Sequence, residues 1–495
     1  MFIKLKEVKY MGVKKEKALS AEQLAKNEAK RLKEIAKLEK EKNKSRGIGY
    51  FACFLFIITV VYMVDELTSQ IGSQMQTIIA TEIFAPIVGE EFAVARMSAF
   101  GITGTISSAL SFLYKPLSDK YGRKIFLVIN TLGMGIGMLL VGISTNIPVY
   151  VIGATIMAFF VPHDMQATYI YESTPPKHRG KIYSIIKAIA TVCVLLIPVL
   201  RNVFISASDS SKWVYVYIIP GIIAFVIAIF AIFLMRESDA YIESKLRILK
   251  MSDEEKEQAK NKKEEVESNG GLIVGIKCIV KNKQLLWLIA VYALQMIAML
   301  MTGYYETIIN SGYAKQFLDQ GMSLSEANNL AKNIVSQALL LFPIGCALAT
   351  FVQGFLADKF GRRKAFIIMS VAIVLAFLGF YFGSKFTWNQ YLVGLLTGIA
   401  VGSVWSAGDI VILMIAESSP TKFRASIQSI APLMAGAPYG IVMGLAILFM
   451  NIFGDAIIPV IILVTAVPTL IGAIFILFTK VKETNATKLD SIGEI

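Results

Sequence analysis

Long apolar runs alternate with short polar interruptions along nearly the whole chain. Each run has roughly 20 residues, the length that an α-helix needs to cross ~30 Å of hydrocarbon, so the pattern predicts twelve membrane spans. Spans 1 to 6 are predicted at Ile48–Gln70, Met97–Leu117, Ile125–Thr145, Pro148–Tyr171, Tyr183–Phe204 and Val214–Met235. Spans 7 to 12 are predicted at Leu285–Ile308, Asn333–Leu356, Phe366–Gly383, Gln390–Ala416, Ile427–Met450 and Ala456–Phe478.

The composition agrees with this pattern. Of the 495 residues, 55% are hydrophobic and 17% are charged, and the mean hydropathy is +0.61. A water-exposed surface cannot accommodate so much apolar area. The fold class is therefore predicted to be an all-α membrane protein that crosses the bilayer many times.

Lysine and arginine fall on alternate loops, which predicts the orientation. Lys120 follows span 2, Lys177 follows span 4, Lys359 follows span 8 and Lys422 follows span 10. Short basic loops stay on the cytoplasmic side of a membrane. Both termini are therefore expected in the cytoplasm, and the protein is expected in the cell membrane.

Much of the net charge of +13 lies in the first 46 residues, which contain 15 Lys/Arg and 7 Glu, a balance of +8. The stretch "EQLAKNEAKRLKEIAKLEKEKNK" has helical spacing and mixed charge, which is typical of a solvated helix or of a helix at an anionic membrane surface. Because the charge is concentrated in this tail, a nucleic-acid partner is not expected. Three of the four cysteines lie inside predicted spans, so no disulfide framework is indicated.

Two charged motifs occur twice, in the same order. "KPLSDKYGRK" recurs as "GFLADKFGRRK", with Asp119 and Asp358 separated by 239 residues (358 − 119). "YESTPPKHRGK" recurs as "AESSPTKFRAS", with Glu172 and Glu417 separated by 245 residues (417 − 172). Two motifs at nearly one offset indicate an internal duplication of six helices.

A polar segment that contains "SDEEKEQAKNKKEEVESNGG" separates the two copies. The predicted domains are a basic cytoplasmic tail (1–46), a six-helix bundle (47–235), a cytoplasmic linker (236–283), a second six-helix bundle (284–480) and a cytoplasmic C-terminal tail (481–495).

The recurring charged loop resembles the cytoplasmic signature of the major facilitator superfamily. This resemblance implies two pseudo-symmetric six-helix bundles around a central cavity that opens alternately to each side. It also implies that the recurring charges form a cytoplasmic gate, although topogenic charges on tight turns would leave a similar pattern. The gate candidates are Asp119, Arg123, Glu172, Arg179, Asp358, Arg362, Glu417 and Arg424.

Other motifs resemble those of the sugar-porter branch of this superfamily. "RESDAY" after span 6 is similar to its Pro-Glu-Ser-Pro-Arg-Tyr motif, and "VKETNATKLD" after span 12 is similar to its Pro-Glu-Thr-Lys-Gly motif. In span 7, Gln295, Tyr304 and Tyr305 match sugar-contacting positions of that branch. Trp405 in span 10 is a candidate cavity wall, or else packs between helices.

Ionisable residues inside spans are the candidates for proton coupling, because charges are costly in a membrane. The resemblance to sugar–proton symporters aligns Asp65 with the Asp in span 1 that those proteins use as a proton site. The alternative is that Asp65 forms an interfacial pair with Glu66 at the end of span 1. Asp164 and Asp409 each lie 8 residues before the recurring Glu of their copy, as symmetry mates would. Glu306 in span 7 is the fourth candidate.

Span 5 contributes two cationic candidates for substrate binding. Lys187 stands where the sugar-porter branch has a sugar-binding Gln, and Arg201 lies further along the same span. Buried cations need counter-charges. Asp164 and Asp409 are one possible source, and a carboxylate or phosphate of the substrate is the other.

The expected function is secondary active transport of a small polar solute, sugar-like or carboxylate-bearing, coupled to protons or another ion. A monomer in the lipid bilayer without a cofactor or metal is expected. An exporter of amphiphilic compounds and a non-transporting nutrient sensor are the alternatives. A primary pump is not expected, because the sequence has no phosphate-binding Gly-Lys-Ser/Thr loop. An enzyme is not expected, because the sequence has only two His and no cluster of metal ligands.

Overall fold

The computed structural model of the chain describes residues 21–44, 47–114, 117–161, 165–174, 179–206, 209–252, 255, 272–419, 424–478 and 481–484. Every regular element within these ranges is a helix. The predicted all-α fold class is therefore confirmed, and the chain forms two halves of six membrane helices each.

The first half contains spans 1 to 6. Their bounds are Ile48–Gln74, Ala93–Tyr114, Arg123–Gly142, Ile147–Phe160 with Met165–Ser173, Arg179–Cys193 with Leu196–Phe204, and Val214–Leu234. Four short helices connect spans 1 and 2, at Gln76–Ile79, Ala80–Phe84, Ala85–Val88 and Glu90–Phe92.

The second half contains spans 7 to 12. Their bounds are Lys283–Ile297 with Met301–Asp319, Leu324–Ala338 with Phe342–Phe360, Arg362–Lys385, Gln390–Ser418, Arg424–Phe453 and Ile458–Phe478. A helix precedes this half at Leu272–Lys281.

The predicted spans agree with the helices except at a few ends. Within the described residues, ten helices are long and apolar enough to cross a membrane. Spans 2 and 4 complete the twelve: span 2 carries many Ser, Thr and Gly residues, and span 4 is described on both sides of 162–164. Spans 7 and 8 extend beyond their predicted bounds, to Asp319 and from Leu324, because helix continues through polar residues at the far end that the apolar pattern excluded.

Two helices lie outside the spans. The tail helix (Ala21–Lys42) precedes span 1, and the linker helix (Asp239–Lys250) follows span 6. Ion pairs between Glu34 and Lys245 and between Glu39 and Lys250 hold the two helices together.

Small residues bring spans 8 and 10 into close contact. A Cβ atom added to Gly394 would lie 1.6 Å from the backbone oxygen of Ala338, and one added to Gly398 would lie 2.1 Å from that of Phe342. Packing through small residues is how membrane helices associate when lipid removes the hydrophobic driving force. These contacts fix the position of span 10, which carries several site candidates.

The two ends of the bundle differ in their loops. We call the end that carries residues 117–124, 236–239, 358–364 and 417–419 the motif end. The opposite end, with residues 75–93, 205–213, 319–323, 386–389 and 451–457, is called the far end. Both the tail helix and the linker helix lie at the motif end.

We expect Gly394→Ala to destabilise the protein, because its new methyl group would overlap the Ala338 carbonyl. Overpacking of this kind costs about 1–3 kcal/mol. The measurement is thermal unfolding of the purified protein in detergent. Gly440→Ala is the matched control, since nothing lies within 4 Å of its added Cβ. Equal unfolding temperatures for the two variants would contradict this account of the contact.

Candidate transport site

Glu306 of span 7 is fully buried at the far end, where the two halves meet. Its carboxylate accepts hydrogen bonds from the backbone N–H (2.9 Å) and the hydroxyl (2.6 Å) of Thr77. The Arg201 guanidinium donates to the same carboxylate through Nη1 at 3.0 Å and Nη2 at 3.1 Å. All four of these bonds therefore come to a side chain of the second half from residues of the first half.

Arg201 is also fully buried, and it bonds a second residue of the opposite half. Its Nε donates to the Ser336 hydroxyl at 3.1 Å, while Asn202 donates to the Ser336 carbonyl at 3.0 Å. Removing one partner of a buried ion pair typically costs about 3–5 kcal/mol, because the other charge is left uncompensated. The contact is thus strong while the far end is closed, and it must break for that end to open.

Lys332 of span 8 is a buried cation that sequence reasoning did not select. Its ammonium donates to the Asn329 side chain at 2.8 Å and interacts electrostatically with Glu82, Glu306 and Glu90. The predicted span 8 began one residue later, so Lys332 was assigned to a loop. A single Lys directly before the apolar run of span 8 was the signal that could have identified it.

Asp455 makes a second contact between the halves at the far end. Its carboxylate accepts the backbone N–H groups of Val94 at 2.8 Å and Ala95 at 2.7 Å, at the start of span 2. A carboxylate there is stabilised by the positive end of the helix dipole. Asn451 adds a hydrogen bond to the Ala95 carbonyl. With the Glu306 contact, these bonds close the far end.

A cavity of about 470 Å³ lies between the halves, bounded by spans 1, 2, 4, 7 and 11. Hydroxyl-bearing side chains line much of it: Thr68, Ser69, Ser73, Ser98, Thr103, Thr105 and Ser108. Tyr150, Tyr304 and Tyr439 add aromatic rings. Among the described lining residues none is Asp, Glu, Lys, Arg or His. The described lining is therefore uncharged and mostly apolar, with hydroxyl groups distributed over it.

Lys187 and Asp409 are the charged candidates nearest the middle of the bundle. Both side chains are exposed, and they interact electrostatically although they belong to different halves. Tyr292 also lies close to Asp409, and the Lys187 ammonium lies 6.0 Å from the Tyr183 ring centre. Lys187 is thus near a protein carboxylate, as one of the two sequence interpretations requires.

Asp65 lies between spans 1 and 4, buried rather than at an outer interface. Its carboxylate accepts a hydrogen bond from the Gln166 side chain at 2.8 Å. Gln166 lies in the second helix of span 4, Met165–Ser173, and was not among the residues predicted to contact Asp65. Asp164, the proposed symmetry mate of Asp409, lies outside the described residues.

The span-7 and span-10 candidates face different surroundings. Gln295 is buried and donates to the Val404 carbonyl at 2.6 Å, so it joins two helices of one half. Tyr304 lines the cavity and hydrogen-bonds with Ser98. Tyr305 is fully buried, and its ring stacks on Phe342 at 4.8 Å, while Trp405 is half-buried. Of the six substrate candidates, only Tyr304 lines this cavity.

At the motif end of the first half, Arg123 joins several helices. Its guanidinium pairs with Glu172 at 3.1 Å and donates to the Ser118 hydroxyl. Glu237 accepts the backbone N–H of Arg123 at 3.0 Å, and Ser238 donates to Glu172. Burial raises the pKa of Glu237, against the opposing effect of its backbone hydrogen bonds.

The second half repeats this arrangement group by group. Arg362 pairs with Glu417 at 3.3 Å and with the exposed Asp358 at 3.2 Å. Glu483 accepts the backbone N–H of Arg362 at 2.8 Å, and Thr484 donates to Glu417. The duplication is therefore preserved in the individual contacts. Each of the two clusters joins residues of its own half.

Glu237 and Glu483 explain why glycine precedes each of these arginines. Gly122 has φ +118° and Gly361 has φ +92°, and a Cβ atom would lie 2.4 Å and 2.6 Å from the respective Glu carboxylates. The two acids lie in "RESDAY" and "VKETNATKLD", so the sequence contained their signal. The side chains of Asp119, Arg179 and Arg424 lie outside the described part of the chain.

These features define a class: a membrane transporter with a cavity between two halves and a closed contact at one end. The family model of the Major Facilitator Superfamily matches residues 46–324 and 311–494. The chain therefore belongs to the Major Facilitator Superfamily. It is a transporter that moves a small solute by alternating access, and the predicted class is confirmed.

Several relatives of the chain are sugar transporters of this superfamily. The chain is 23% identical to the glucose transporter GlcP of Staphylococcus epidermidis, over 70% of this chain and 75% of that protein. It is 22% identical to the arabinose-proton symporter of Bacillus subtilis, over 68% and 72% of the two chains. The crystal structure of a D-xylose-proton symporter matches with a TM-score of 0.60 and 16% identity, over 88% and 99% of the chains.

We expect Glu417→Gln to lower the unfolding temperature, because it removes the charge that faces Arg362. Both side chains of this pair are only 13% exposed, and a hydrogen bond to a charged group contributes about 1.5–3 kcal/mol. Glu172→Gln should act similarly in the first half. Asp358→Asn is the control, since Asp358 is 84% exposed and should contribute little. If Asp358→Asn destabilises as much as Glu417→Gln, the buried pair is not the stabilising contact.

Proposed function

We propose that the protein carries a neutral, sugar-like solute together with protons. The observation that supports this most directly is the neutral cavity between the halves, with its hydroxyl groups and tyrosine rings. Polyhydroxylated solutes exchange many hydrogen bonds with such a lining, and apolar ring faces pack against aromatic side chains. The transport of glucose and arabinose by the relatives supports the same solute class.

The contacts at the far end support a mechanism for alternation. Opening this end requires Glu306 and Asp455 to leave their partners on the first half. The new contacts that a bound solute makes with both halves would offset part of the free energy lost when these bonds break. The two halves would then rock around the bound solute, which stays near the middle of the membrane. In this proposal Arg201 belongs to the gate rather than to the solute site.

Proton coupling has three described candidates in this proposal. Asp65 has a neutral partner in Gln166, whereas Asp409 has a cation nearby in Lys187. Glu306 is held by an arginine of the opposite half. Neither Asp65 nor Asp409 takes part in the described contacts that close the far end, so a change in the charge of either leaves those contacts intact.

The orientation and domain limits are part of the same proposal. The basic residues on alternate loops favour a cytoplasmic location for the motif end and for both termini. Residues 47–235 and 284–480 then form the two moving bodies, and residues 236–283 connect them. The motif-end clusters around Arg123 and Arg362 keep each body rigid.

The proposal is tested by solute uptake into vesicles that contain the purified protein and an imposed proton gradient. We expect saturable uptake of labelled glucose, xylose or arabinose that a protonophore abolishes. Accumulation of glucuronate but not of these sugars would overturn the neutral solute class. Solute binding without accumulation would favour a sensor, and uptake only of amphiphilic cations would favour an exporter.

Lys187→Gln in the same assay distinguishes an internal pair from a solute contact. Because the change removes the positive charge that acts on Asp409, and because both side chains are exposed, we expect a loss of uptake of up to about fivefold for every solute, equivalent to ~1 kcal/mol. Lys212→Gln, at an exposed far-end position, is the control and should transport normally. A loss confined to acidic solutes would contradict the internal pair.

A further inference from the structure

The tail helix has one face that contacts the linker helix and an opposite face that carries exposed lysines. On one face, Arg31 donates to the backbone oxygens of Leu249 and Met251 of the linker segment at 2.6 Å and 3.1 Å. Ion pairs continue this contact, at 3.6 Å for Glu34 with Lys245 and 2.6 Å for Glu39 with Lys250. Two acidic residues of the tail helix, Glu34 and Glu39, thus point toward the linker helix.

The opposite face carries lysines, which we call the lysine stripe: Lys26, Lys30, Lys33, Lys37 and Lys40. All five side chains are exposed. At 100° per residue their positions fall within an arc of about 80°, centred away from the face that contacts the linker helix. The spacing of 4, 3, 4 and 3 residues keeps one continuous row along the helix.

Docking on the linker helix gives the stripe an excess of positive charge. Glu34 and Glu39 are occupied by lysines of the linker helix, so they neutralise those residues and not the stripe. In an isolated, rotating tail helix the mixed charges would average out. The docked helix instead presents five lysines in a fixed orientation.

We propose that the lysine stripe binds the headgroups of anionic phospholipids. The tail helix ends at Lys42 and span 1 begins at Ile48, so the stripe is tethered next to the membrane by a few residues. Basic clusters adjoining a membrane helix gain about 1 kcal/mol per Lys or Arg near an anionic surface.

The composition of the stripe favours lipid over a protein partner. Protein interfaces concentrate their binding energy in Trp, Tyr and Arg, whereas the stripe consists of lysines. Lysine is a flexible point charge, which suits mobile headgroups better than a fixed bidentate site. The binding is expected to weaken with salt, because exposed charges are screened.

The test is hydrogen exchange of the full-length protein in nanodiscs of neutral or anionic phospholipid. Backbone amides of residues 28–40 should exchange at least about tenfold more slowly in anionic discs at low salt, and the difference should vanish at high salt. Lys30→Gln/Lys33→Gln/Lys37→Gln should remove it. Arginine at the same three positions should retain it, which separates loss of charge from loss of folding.

Lys277→Gln/Lys281→Gln/Lys283→Gln is the matched control, since it removes three exposed charges from the same end of the protein but leaves the stripe intact. It should keep the lipid-dependent protection. Equal exchange in both lipids would overturn the proposal. The proposal would also be overturned if neutral discs gave the same protection once inorganic phosphate or a polyglutamate peptide was added. That result would show that the stripe binds soluble anions or an acidic protein. The readout does not depend on solute transport, so it stands or falls separately from the proposed function.

Discussion

One fully buried ion pair joins the two halves of the protein at the far end. Arg201 and Glu306 are both fully buried, and they come from opposite halves. Charges in such surroundings require their partners, since an uncompensated buried charge is strongly destabilising. The far end can therefore open only if water or other groups replace Arg201 and Thr77 around the Glu306 carboxylate.

The two ends of the bundle use charge differently. At the far end, Glu306 and Asp455 of the second half take donors from the first half, so these contacts hold the halves together. At the motif end, Arg123 and Arg362 contact acids and hydroxyls of their own halves. Because of this asymmetry, each half can move as a body. The far-end contacts between the halves break, while the motif-end contacts within each half stay intact.

Periodicity and duplication were enough to predict the helices and their pairing into halves. The length of an apolar run is set by the thickness of the bilayer, and a repeated motif reflects a duplicated segment. Both features can be recognised in the sequence without knowledge of three-dimensional contacts. Among the gate candidates, Arg123 contacts Glu172 and Arg362 contacts Glu417, although the sequence did not indicate which candidates pair.

The site was less predictable, because its contacts join residues that are distant in sequence. Thr77 and Glu306 are 229 residues apart, and nothing in a local stretch marks Thr77 as a donor. Lys332 was missed because a span boundary was placed one residue too late. The hydroxyl-lined cavity was missed because single Ser and Thr residues in apolar helices resemble ordinary packing. Only their convergence from several helices distinguishes them.

The most direct measurement is the distance across the far end with and without the Glu306 carboxylate. Spin labels at Ile87 and Met322, both exposed and on opposite halves, report this distance by pulsed electron resonance after the native cysteines are replaced. We predict that Glu306→Gln broadens the distribution toward longer distances, because the charge that holds Arg201 is lost. Glu326→Gln, in an exposed helix cap of the same end, should match the unsubstituted protein. An unchanged distribution in Glu306→Gln would contradict the claim that this ion pair keeps the far end closed.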